Sequence, residues 1–168
     1  ADWGAGESPE VGLRSAAAPV LHDLHLRTGA VVHLGVLDRG HIVHLDKLGG
    51  PSARRVPTSV GSRVAAPGVA LGVAALAGLS PEEVMAEVAH LTDWQPDAAW
   101  WAELHHARRR VAVRQGDYAE PMVSVAATIG ARAAIGIVAP DRLSAQRYQP
   151  LIASAAARVA RALAGAPD

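Results

Sequence analysis

The sequence contains no cysteine and no phenylalanine, and aromatic residues make up only 4% of its 168 positions. Without cysteine there are no disulfides, no thiolate catalysis and no cysteine-ligated metals, and the chain suits a reducing, cytoplasmic setting. Without phenylalanine the core must be built from leucine, valine, isoleucine and alanine. Lys47 is the one lysine among 16 basic residues, and 16 acidic residues balance them to a formal charge of +0. That balance excludes a global field that would draw the chain onto nucleic acid or an anionic membrane. The N-terminus, "ADWGAGESPE", lacks the basic-then-apolar order of a secretory signal and reads as a loose end.

Recognised reaction signatures are also missing. There is no G-x-S-x-G elbow, no HExxH, no Walker loop and no GxGxxG. No catalytic residue is nominated, and no cofactor is implied. The histidines form no metal set on sequence grounds. His22 and His25 share a helix face but have no third ligand in reach. His41 and His44 point to opposite faces of a strand, and the adjacent His105 and His106 diverge by about 100° on a helix. Arg108, Arg109 and Arg110, with Arg114, form the basic cluster of the sequence; the three consecutive arginines fan around a helix as a solvated surface, with ion pairs expected to Glu103 or to acidic residues elsewhere.

What is present begins with "RVAAPGVALGVAALAGLS", in which sixteen residues from Val64 to Leu79 carry no charge. A bilayer span needs about 20 apolar residues, and Pro67, Gly68, Gly72 and Gly78 interrupt this run. It predicts a buried helix in a soluble chain. Pro67 suits its first turn and Gly78 its end. Small residues around Gly68, Val69 and Ala70 would leave backbone N–H groups open to a ligand, and the helix dipole there would favour a carboxylate. Gly68 and Gly72, four apart, would permit close backbone approach on one face.

Length predicts one domain. A helix over 10–28 contains Pro19 and stops at Gly29. "VVHLGVL" and "HIVHLDKL" follow as a hairpin around a three-residue loop, Asp38-Arg39-Gly40, with Val32, Leu34, Val36 and Ile42 on the core face. "RRVPT" could add a short edge strand. Ser80, Pro81 and Glu83 spell a capping box that starts another helix. A helix over 98–115 places Trp100, Leu104, Ala107 and Val111 on one stripe. Two strands flank Gly130, and a C-terminal helix reaches about Leu163, with Pro150 kinking it or lying in a frayed first turn. The order predicts an α/β (α+β) fold, an antiparallel sheet with helices packed on it.

The run of pieces "LHDLHLRTGAVVHLGVLDRGHIVHLDKL", "PTSVGSRVAAPGVALGVAALAGLSPEE", "ELHHARRRVAVRQGDYAEP" and "VSVAATIGARAAIGIVAP", with the tail "LIASAAARVARAL", resembles the effector-binding domain of the IclR family of bacterial transcription regulators. The resemblance covers nearly all of residues 15–165. Residues 1–14 then read as a loose segment or the remnant of an inter-domain helix. It implies a GAF/profilin-like domain that binds a small organic acid or aromatic effector, forms a homodimer or homotetramer, and biases DNA binding by a winged helix-turn-helix absent from these residues. A stand-alone GAF-like sensor or dimerisation module is the alternative. Carried over by position, the resemblance implies a pocket formed by Val64, Ala70, Leu71, Gly72, Met122, Ser124, Gly136 and Val138.

Three departures from the family pattern bear on that pocket. Tyr118 runs almost directly into Met122, so an acidic pocket residue and a covering loop are expected to be missing. The hairpin at Gly130 is short. Gly136 and Val138 stand where some members carry hydroxyls. Fewer polar anchors favour a larger, more apolar ligand over a very small keto acid.

Overall fold

A computed structural model describes residues 9–165, so residues 1–8 of the expected loose segment lie outside it, and residues 9–14 form the start of the first helix. That helix, α1 (Pro9–Thr28), passes through Pro19 and ends at Gly29, whose φ of 68° is the left-handed conformation that stops a helix. Next come β1 (Val31–Asp38) and β2 (His41–Leu48). Asp38 pairs with His41, so the loop has two residues, Arg39 and Gly40, both at positive φ (47° and 83°). This is the mirror-image turn whose twist matches that of the strands.

The shorter loop corrects the expected facing. Ile42 pairs with Leu37 and packs with it under the apolar helix, whereas Val32, Leu34 and Val36 face the other way. "RRVPT" is not a strand; a 3-10 turn spans Gly50–Arg55, and the edge strand is β3 (Arg63–Ala65).

The apolar run folds as a 3-10 turn over Ala66–Gly68 followed by α2 (Ala70–Ala77). Pro67 therefore lies in the 3-10 turn and not in the α-helix. All eight residues of α2 are buried, which is why the sequence shows no polar face there. No described helix is long and apolar enough to cross a membrane. Helix α3 (Pro81–Val88) begins with both halves of the capping box between Ser80 and Glu83. Helix α4 (Ala98–Arg109) is shorter than its periodicity predicts, because the chain turns at Arg110 into a strand, β4 (Ala112–Gln115). Val111 is buried with the opposite layer instead of extending the stripe. Strands β5 (Val123–Ile129) and β6 (Ala133–Ala139) form the late hairpin, and α5 (Arg142–Leu163) is continuous through Pro150.

The six strands form one antiparallel sheet in the order β3-β2-β1-β6-β5-β4. Helices α1 and α5 cover one face, over a core that includes Leu21, Leu34, Ile135 and Ile152. Helices α2, α3 and α4 cover the other, around Val73, Leu76, Val84 and Leu104. Strand alternation divides the sheet residues between these layers.

Candidate functional site

Helix α2 begins over the middle of the sheet, and two glycines set its height. A Cβ on Gly35 of β1 would lie 2.7 Å from Leu71 Cδ2, and one on Gly136 of β6 would lie 3.1 Å from Leu71 Cδ1. Leu71 is thus a knob in a hollow that two adjacent strands leave by lacking side chains. The preceding turn is equally tight. A Cβ on Gly72 would run into the Ala66 carbonyl oxygen, while Gly68 has nothing within 4 Å. Of the two glycines expected to allow close approach, only Gly72 does so. Trp100 Nε1 donates to the Pro67 carbonyl at 3.0 Å, and Arg114 donates to the same oxygen at 3.3 Å.

Beside this helix start lies a small cavity lined by Ala70, Leu71, Ser124, Gly136 and Val138 together with His33, His44, Asp117 and Tyr118. Its volume of about 10 Å³ is room for about one water. Five of the residues implied by the family resemblance therefore meet at one place. Met122 does not line this cavity. With Val138 it lines a second one of about 90 Å³ next to it, to which Val31, Val56 and Arg55 also contribute. Gly72 is packed against the Ala66 backbone, and Val64 packs into the core beneath α2.

The electrostatics are set first by Asp117, which the sequence pattern did not single out. Asp117, with its side chain 3% exposed, accepts a hydrogen bond from the Ala70 N–H at 2.8 Å and one from Arg114 Nε at 3.2 Å. Burial pushes its pKa up, and the Ala70 amide and Arg114 pull the other way. A carboxylate thus reaches the cavity from the residue just before the short Tyr118–Met122 stretch. Arg114 also pairs with Glu103 at 3.0 Å. Tyr118 is pushed up to about 12 by burial and by the charge of Asp117.

Across the cavity His33 and His44 meet edge to face, 4.9 Å between ring centres. His33 is lowered to about 3, mainly by burial and then by His44 and Lys47, so it is neutral. His44 is also lowered by burial, against the opposing bond to the Ser62 carbonyl. His33 Nε2 lies 2.7 Å from Thr58 Oγ1, and Lys47 Nζ donates to the carbonyls of Ala53, Val56 and Thr58. Ser124 Oγ is buried with no hydrogen-bond partner of good geometry, although Asp117 is close enough to feel it. A buried hydroxyl without a partner is uncommon and points to an occupant.

A sequence signal for His33 did exist. It alternates with Val32 and Leu34 and so belongs on the opposite face of β1, the one that the structure places under α2. Nothing local marks Asp117, because its role depends on contact with a helix 47 residues away. The arginine cluster is less uniform than expected: Arg108 caps α2 by donating to the carbonyls of Ala77 and Leu79. Among the described residues no group of three His, Asp or Glu side chains is placed to hold a metal ion.

This architecture is shared with known proteins. An IclR homolog complexed with 4-hydroxybenzoate from Microbacterium hydrocarbonoxydans superposes with a TM-score of 0.81 at 22% identity, over 95% of this chain and 71% of that one. The Thermotoga maritima IclR gives 0.74 at 24%, over 90% and 68%. The C-terminal domain of the E. coli transcriptional regulator KdgR gives 0.75 at 19%, over 90% and 98%. No curated protein matches the sequence. The sequence profile of the bacterial transcriptional regulator IclR C-terminal family matches residues 9–164. Fold and profile together define a regulator domain of mixed helix and antiparallel sheet. The chain belongs to the IclR C-terminal family.

Proposed function

We propose that this chain is the effector-binding and oligomerisation domain of an IclR-type regulator. In this reading a small organic or aromatic molecule binds beside the start of α2, and a winged helix-turn-helix outside these residues responds on DNA. The observation that carries the reading is Ser124, a buried hydroxyl left unpartnered among His33, His44, Asp117 and Tyr118. An apolar core would fill that space with carbon; a ligand site keeps polar groups there. The complex of the Microbacterium relative with 4-hydroxybenzoate supports a small-molecule ligand of this kind.

The cavity as it stands admits about one water, so a ligand must widen it towards the adjoining cavity, by a shift of the span 118–122 that carries Tyr118 and Met122 while Asp117 stays on the Ala70 amide. Binding then shifts an equilibrium between closed and open arrangements by its differential affinity for the two, and the molecule leaves unchanged. Regulation in the cytoplasm by a homodimer or homotetramer completes the proposal.

Calorimetric titration of the chain against a panel of small aromatic and aliphatic alcohols and acids tests it. At least one should bind saturably and raise Tm. A panel with no binder would overturn the reading. Sedimentation analysis tests self-association, and a monomer at all concentrations would remove the oligomerisation claim.

A further inference from the structure

The charges around the cavity are unevenly distributed. The cations beside the start of α2 already have their partners: Arg114 holds Glu103, Asp117 and the Pro67 carbonyl, and Lys47 holds three carbonyls, while the exposed Arg55 lines only the adjoining cavity. Both facing imidazoles are neutral. The N–H of Ala70, where the helix dipole would hold an anion, is already occupied by the carboxylate of Asp117. A carboxylate entering at the start of α2 would meet this like charge in a buried setting, where Arg114 and Lys47 are already committed.

Asp117 nevertheless has capacity to spare. Each carboxylate oxygen has two lone pairs, and one hydrogen bond is made at each. Ser124 Oγ stands unpartnered on β5, on the same cavity wall. An acceptor with free lone pairs and a hydroxyl that makes no more than a poorly aligned approach to it together suit a group that both donates and accepts, which is what a neutral hydroxyl does. Beyond them the lining is mixed, with His33 and His44 in the first cavity and Ser52 and Arg55 in the second beside a run of apolar side chains. Val138 lines both cavities, and Val31, Val56 and Met122 form a small apolar cluster against which Tyr118 packs.

We propose that the site takes a neutral, hydroxyl-bearing aromatic ligand and excludes carboxylates, the ligand hydroxyl donating to Asp117 and accepting from Ser124, with the ring against Val138 and Met122. Asp117 holds by itself the place that an effector carboxylate would take at the start of α2. The inference rests on the effector-binding reading above and narrows it to one ligand class.

The test is calorimetric titration of the chain at neutral pH with phenol, benzyl alcohol and benzoate, repeated on Asp117→Asn, Asp117→Ala and Ser124→Ala. In the parent chain one of the two hydroxyl compounds should bind at least tenfold more tightly than benzoate. Asp117→Ala, which frees the Ala70 amide and removes the charge, should strengthen benzoate binding at least tenfold, and Asp117→Asn should move the preference the same way. Ser124→Ala should weaken the hydroxyl ligand severalfold. Benzoate binding the parent chain as tightly as the alcohols would overturn this inference while leaving effector binding intact. Absence of binding by all three probes, in parent and variants alike, would overturn both. If the Asp117 variants fail to fold, the ranking in the parent chain decides alone.

Discussion

Glu87 and Arg132 lie 45 residues apart in sequence and are joined by a two-point ion pair, Arg132 Nη1 to Oε2 at 2.9 Å and Nη2 to Oε1 at 3.2 Å. The same Oε1 accepts the N–H of Gly40 at 2.9 Å. One carboxylate at the end of α3 thus ties together the β1–β2 turn and the β5–β6 turn. Burial would raise the pKa of Glu87, yet Arg132 and the Gly40 amide hold it below the usual range. Replacement by alanine leaves a buried amide without an acceptor, which costs about 2 kcal/mol. Urea unfolding of Glu87→Ala should show that loss as a lower midpoint with an unchanged m-value.

The two glycines at the start of the apolar helix should respond in opposite ways. Gly72→Ala forces a Cβ into the Ala66 backbone and should cost about 3 kcal/mol or abolish folding. Gly68→Ala meets open space at a backbone conformation that alanine tolerates and should change stability by no more than about 0.5 kcal/mol. Thermal unfolding of the two variants side by side checks this.

Acid should weaken the fold well before ordinary carboxylates titrate. The unfolded chain protonates His33 near 6.5, whereas the folded chain resists until about 3. Between those values the unfolded state binds more protons, so stability falls by up to about 1.4 kcal/mol for each unit of decreasing pH. His44, lowered in the same direction, adds to the slope. Tm measured from pH 7 down to 5 should decline, and His33→Gln should flatten the decline. A parent chain with constant Tm over that range would contradict the burial of neutral His33.

Ser124 offers a separation of stability from binding. Its hydroxyl is buried without a partner, so Ser124→Ala should raise stability by about 1 kcal/mol. A rise in Tm on that substitution identifies a residue kept for something other than folding.

The residues that announced themselves in the sequence are those whose roles are local. Ser80 and Glu83 sit three apart and cap a helix at that spacing; Gly29 and Gly40 mark turns that need positive φ. The misjudged features depend on tertiary context. One residue fewer in the Arg39-Gly40 loop moves Ile42 to the other face of the sheet. The helical stripe through Trp100, Leu104 and Ala107 continues by chance to Val111, but the chain has by then left α4 to pair with β5. The candidate site divides in the same way. Resemblance supplied Ala70, Leu71, Ser124, Gly136 and Val138, which the fold brings together. Asp117, which sets the charge there, becomes visible only once the start of α2 is placed above the loop.

The seating of Leu71 between Gly35 and Gly136 also limits which parts can move. A helix pegged into two strands at once cannot slide or roll without lifting its peg, so α2 behaves as a fixed roof beam. Opening beside it falls to the short span after Asp117, which carries Tyr118 and Met122. Because that span joins β4 to β5, motion there pulls on the sheet margin farthest from β3. A signal from this cavity would therefore leave through the β4 side of the domain.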